Sequence, residues 1–147
     1  MENEVSIKFL ERDIAGILQR IERNGWQITQ EGLFVKAILP QTSTGKWFKL
    51  LLFCHGYPRS LINAEFLPES TVPVKIVWPD DNEHMFRIRT STGNPFICMA
   101  GLKSYIPEDI ESTVPYSMAD IHVANIITRI AERINDPDCG FLEVQNR

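Results

Sequence analysis

From Val5 to Arg23 the apolar residues Leu10, Ile14, Ile17, Leu18 and Ile21 recur at helical spacing, while Lys8, Arg12, Asp13, Arg20 and Glu22 take the other face. The spacing predicts one amphipathic helix. Asn24-Gly25 should end it, because glycine readily adopts the left-handed conformation just past a helix end. The pattern then changes to strand-like segments, Trp26 to Thr29, Leu33 to Leu39, Trp47 to His55 and Val72 to Trp78. These are rich in β-branched and aromatic residues, with Gly, Pro, Asn or Asp between them, and they predict an antiparallel meander of three or four strands. Near the end, Ser117 with Asp120 reads as a capping box. Ile121, Ala124, Ile127, Ile130, Ala131 and Ile134 then form a second apolar helical face that closes around Asn135, before Asp136-Pro137.

Strands in one block with helices at both ends imply an α+β layer arrangement rather than alternating βαβ units. Between strands and last helix lies a stretch from about Pro79 to Tyr116 with no regular pattern. Loops longer than about 12–15 residues inside compact domains are uncommon and usually functional or disordered. This one contains Cys98.

Composition narrows the picture further. At 147 residues, 44% hydrophobic and 23% charged, residues 1–147 fit a single domain able to bury an ordinary core. No apolar run approaches the roughly 20 residues that cross a bilayer, and MENEVSIKFLERD lacks the basic start and apolar block of a signal peptide. A cytoplasmic protein without a membrane partner is expected. Net charge is −4 with both signs mixed along the chain, which argues against nucleic acid as a partner. The three cysteines, Cys54, Cys98 and Cys139, are odd in number and widely spaced, so reduced thiols fit better than a disulfide framework.

Few motifs carry chemistry. Thr42-Ser43-Thr44-Gly45-Lys46 lacks the upstream glycine of a phosphate-binding loop and leads into a predicted strand, so nucleotide binding is not expected there. Cys54 and His55 are adjacent, the wrong spacing for a zinc pair, and no CxxC or HxxxH completes one; neither metal nor cofactor is expected, and Cys54 reads as a core residue. His122 reads as a surface residue of the last helix, and His84 sits in the hydrophilic turn Asp80-Asp81-Asn82-Glu83-His84. Either could serve as a base for a cysteine hydrolase only if the fold carried it to a thiol. Phe96-Ile97-Cys98-Met99-Ala100, taken alone, reads equally well as buried packing.

The order of local features changes that reading. Tyr57-Pro58 follows the strand Trp47 to His55, Val72-Pro73-Val74 opens the last strand, and Phe96-Ile97-Cys98-Met99 is followed by Tyr105-Ile106-Pro107. In this order, over roughly Val5 to Asn135, the chain resembles the ubiquitin-conjugating enzyme family, in its divergent bacterial form. The resemblance implies an N-terminal helix, a four-stranded antiparallel meander, an irregular segment bearing the active-site cysteine, and a C-terminal helix. It departs from the family in lacking the His-Pro-Asn before the cysteine, in having Tyr105 where Trp is usual, and in a longer segment from Arg59 to Thr71.

What the resemblance implies for function is an acyl carrier. Cys98 would accept the C-terminal carboxyl of a ubiquitin-like protein as a thioester from an activating enzyme and yield it to an amine of a protein acceptor. A thiol suits a relay because its thiolate is both a good nucleophile and a good leaving group. Asn94 is the nearest candidate for the missing asparagine that would hold the oxyanion, although before Pro95 it also reads as a turn former. In the family the first helix helps recruit the activating enzyme, and here Lys8, Arg12, Arg20 and Arg23 would supply charge on its exposed side. Two alternatives remain: a non-catalytic binding module of the same fold, which the missing asparagine favours, and a cysteine hydrolase using His84 or His122.

Overall fold

The computed structural model describes residues 2–68, 70–71, 74–82, 84–88, 95–99, 101–102 and 122–146. The N-terminal helical pattern forms two helices, α1 (Glu2–Ala15) and α2 (Leu18–Asn24), where one was predicted. The interruption falls at Gly16-Ile17. Glycine is a poor helix former, and the turn there carries Ile17 into the core while Leu18 stays exposed. α2 ends as predicted at Gly25, whose φ of 70° is the left-handed conformation that glycine tolerates without a Cβ clash.

Four strands, β1 (Gln27–Glu31), β2 (Phe34–Pro40), β3 (Trp47–Phe53) and β4 (Asn63–Phe66), pair in that order as an antiparallel meander. In β2 and β3 strict alternation gives the sheet a buried face, with Val35 opposite Leu52, Ala37 opposite Leu50 and Leu39 opposite Phe48. The last helix, α3 (Val123–Ile134), packs against β2 and α1 and buries Val123, Ile126, Ile127, Ile130, Ala131 and Ile134 in the same core.

The fourth meander strand is a correction to the sequence reading. The predicted strand Val72 to Trp78 does not join the meander. After the two-residue β5 (Ser70–Thr71), it forms β6 (Val74–Asp80) in a separate sheet ordered β5-β6-β9, where β9 (Gly140–Asn146) pairs with it over seven residues. The place in the meander goes to Asn63–Phe66, whose alternation is too short and polar to stand out as a strand. A third pair, β7 (Phe86–Ile88) and β8 (Pro95–Ile97), is an antiparallel hairpin inside the stretch predicted to be irregular. Trp78 brings these layers together, packing edge-on against Phe66 with ring centroids 4.9 Å apart and against Phe86 at 6.2 Å. Among the described residues no helix is long and apolar enough to cross a membrane.

Candidate active site

The hairpin that ends in Cys98 is built from a turn held by one buried carboxylate. Asp81, fully buried, accepts the backbone N–H groups of His84 (3.1 Å) and Phe86 (3.2 Å) on Oδ1, and on Oδ2 the backbone N–H of Met85 (2.8 Å) and the side-chain Nε–H of Arg133 (2.9 Å). Burial alone would raise its pKa. The hydrogen bond from Arg133 and the amides of Met85 and Phe86 outweigh that, and the carboxyl is held below the ordinary aspartate value. Met85 is thus clamped at both ends, because its carbonyl accepts the Cys98 N–H at 2.7 Å.

That bond extends the β7–β8 ladder by one pair, with Arg87 opposite Phe96 and Phe86 opposite Ile97. Alternation then sorts the faces. Phe86, Ile97 and Met99 are buried, whereas Met85, Phe96 and Cys98 are half-buried and Arg87 is exposed. Cys98 therefore lies on the outer face of the hairpin, with Arg87 at a diagonal position across the strands. Sequence neighbours alone gave Cys98 only apolar company; the cross-strand arginine was missed. The alternation Phe86-Arg87-Ile88-Arg89 is the signal that could have found it.

Beyond Cys98 the chain turns tightly, with the Leu102 N–H donating to the Met99 carbonyl at 3.2 Å. It is pinned there by the Ile62 N–H, which donates to the Gly101 carbonyl at 3.1 Å, and by a parallel bridge between Ile62 and Leu102. The segment that follows Tyr57-Pro58 is thereby brought beside the segment that follows Cys98. Tyr57 itself is a hub. Its carbonyl accepts Ser6 Oγ at 2.8 Å, its hydroxyl donates to Asp13, and the same hydroxyl accepts the Val123 N–H at 3.0 Å, so α1, the Tyr-Pro turn and the start of α3 meet on one side chain. Burial and the bond to Asp13 raise its pKa well above that of an ordinary phenol.

The other candidate residues are placed as follows. Cys54, Cys98 and Cys139 are all free thiols. Burial pushes Cys54 up to about 12 and Cys139 up to about 11. His84 is exposed on the Asp81 turn, and the bonds it makes there run through its backbone, the carbonyl accepting Arg87 Nε at 3.2 Å. His122 is half-buried at the N-cap of α3, its ring 6.2 Å from that of Tyr57. Asn94 lies outside the described residues, as do Val72, Pro73, Tyr105, Pro107, Ser117, Asp120 and Ile121. Thr42 to Lys46 form the turn between β2 and β3, with Gly45 at φ 77°. Among the described residues no three His, Cys, Asp or Glu side chains are grouped to hold a metal ion.

The exposed cations of the N-terminal region do not share one stripe. Lys8 and Arg12 stand out from α1, whereas past the break Arg20 turns onto α3 and donates to Thr128 Oγ1 at 2.9 Å. Comparison with known proteins finds no matching family model, curated protein or solved structure.

Proposed function

We propose that this protein is a conjugating transferase for a ubiquitin-like protein, with a ubiquitin-conjugating-enzyme-like fold and Cys98 as the carrier thiol. One observation supports this above the rest. Of the three free cysteines, Cys98 alone has appreciable exposure, at the end of a braced hairpin, while Cys54 and Cys139 are buried with thiols that stay protonated at neutral pH.

The chemistry is two acyl transfers. The Cys98 thiolate attacks the thioester carbonyl of the modifier on its activating enzyme; the new carbon–sulfur bond forms as the activating enzyme's thiolate leaves. An amine of the protein acceptor then attacks the Cys98 thioester, forming an amide and losing a proton to water or a base as the Cys98 thiolate departs. A lysine has a reference pKa of about 10.4, so loss of that proton is part of the barrier. Asn94 is proposed to donate to the oxyanion of the tetrahedral intermediate.

The test is incubation of the cytoplasmic protein with ATP, activating enzyme and ubiquitin-like protein, followed by a search for an adduct that a thiol reductant releases. Cys98→Ala should abolish the adduct, Cys98→Ser should convert it to a reductant-stable ester, and Cys54→Ala should leave it. An adduct that persists in Cys98→Ala overturns the assignment. Asn94→Ala should load normally but discharge to free lysine about a hundredfold more slowly; a loss under about threefold would make Asn94 a turn residue only.

A further inference from the structure

Where the last turns of α2 and α3 meet the β2–β3 turn, a cleft of about 630 Å³ opens, lined by Arg20, Arg23, Trp26, Thr42, Thr128 and Asn135 among others. Its volume falls within the roughly 300–1,000 Å³ of small-molecule sites. It shares no lining residue with the Cys98 hairpin.

Helix C-termini present carbonyls, which would by themselves repel an anion. Here three carbonyls beside the cleft are already taken. The Arg20 carbonyl accepts Asn24 Nδ2 at 2.8 Å, the Pro40 carbonyl accepts Asn135 Nδ2 at 2.9 Å, and the Ala131 carbonyl accepts both the Asn135 N–H and its Nδ2. Asn135 Oδ1 accepts the Thr42 N–H at 3.0 Å and its hydroxyl at 3.2 Å. Thr128 Oγ1 donates to the Ala124 carbonyl at 2.7 Å and so meets Arg20 as an acceptor.

The donors, by contrast, are left over. Arg20 spends one of its five N–H groups on Thr128, and Arg23 has no acceptor among the described residues. Trp26 is 8% exposed, and its indole N–H also lacks an acceptor among the described residues. Among the described residues no fully enclosed side-chain polar atom is without a partner, so that nitrogen keeps some access to solvent, and Trp26 lines this cleft. Among the described lining residues Glu132 is the one carboxylate, against two guanidinium groups.

We propose that this cleft binds a small oxyanion-bearing ligand, a phosphate ester or a polycarboxylate, with Arg20 and Arg23 on its charge and the Trp26 indole N–H donating to one oxygen. Guanidinium forks match either oxyanion. Arg20 is held in advance by Thr128, so less side-chain freedom is lost on binding. The proposal is independent of Cys98 chemistry.

The experiment follows the Trp26 indole N–H signal of the full, ¹⁵N-labelled chain by NMR, assigned with Trp26→Phe, while pyrophosphate, inorganic phosphate or citrate is added at constant ionic strength. The Trp26 signal should move saturably while those of Trp47 and Trp78 stay in place. Arg23→Gln, which removes an exposed side chain with no bond to lose, should weaken binding about tenfold or more, and Arg20→Gln should act in the same direction. Tighter pyrophosphate than citrate assigns a phosphate ligand; the reverse assigns a carboxylate. A Trp26 signal that does not move by about 10 mM of any probe, or that moves equally in Arg23→Gln, overturns the site.

Discussion

A thiol reacts according to its access and its thiolate fraction, and the fold separates the three cysteines on both counts. Cys54, fully buried after β3, and Cys139, buried before β9, are pushed up to about 12 and about 11. In native protein at about pH 8 a maleimide should therefore modify Cys98 first and leave Cys54 untouched until unfolding. Peptide-level mass spectrometry reads this directly, and equal labelling of Cys54 and Cys98 in folded protein would contradict it. Cys54 was legible as a core residue from its apolar run. Asp81 was not: in Asp80-Asp81-Asn82 it is one acid of a polar turn, and nothing local distinguishes the carboxylate that ends up with no exposure.

Among elements, the β7–β8 hairpin depends on that carboxylate most directly. Removing one partner of a buried pair leaves an uncompensated charge or unmet amides, so Asp81→Asn should cost about 3 kcal/mol or more, measured by urea denaturation. A loss within about 0.5 kcal/mol, the range of ordinary surface changes, would show that the turn stands without it. The pH dependence has a definite sign. Because the folded-state pKa is lowered, the unfolded state takes up the proton first as pH falls, and Asp81's contribution is present above the unfolded value of about 4 and lost below it as pH falls through the folded value. Asp81→Asn should flatten the acid limb of the stability profile; an unchanged limb would assign it to other carboxylates. The meander's first three strands were legible because β2 and β3 alternate cleanly. The exchange of Val74–Asp80 for Asn63–Phe66 was not, since strand partners are chosen by layers far away in sequence.

For the whole molecule, two polar side chains tie distant layers. Tyr57 joins α1 to α3, and buried Gln41 Nε2 donates to the carbonyls of Ile134 (3.0 Å), Cys139 (3.2 Å) and Gly140 (2.9 Å), fastening the end of β2 to the end of α3 and the start of β9. Gln41→Leu removes the amide donor from those carbonyls and should cost about 1–3 kcal/mol by urea denaturation; a neutral result would mean that water replaces the amide. Partner recruitment also belongs to this scale. With Arg20 on α2 turned onto α3, the exposed positive charge on α1 is Lys8 and Arg12. On the proposed function, reversing both to Glu should slow charging of Cys98 and weaken its salt dependence with little change in stability. Equal charging rates at low salt would remove α1 from the interface.

Local pattern by itself determined the helical and strand character from α1 through β3, the glycine stop at Gly25, most of the apolar face of α3 and the burial of Cys54, because each follows from periodicities and backbone preferences within a few residues. Only the tertiary structure decided that β6 leaves the meander to pair with β9, that Asp81 and Arg133 hold the Cys98 hairpin, that Ile62 meets Leu102, and that leftover donors gather between α2 and α3. The reason is physical. A buried carboxylate, a cross-strand neighbour or an unmatched N–H is defined by what folds against it, and those partners lie far away along the chain.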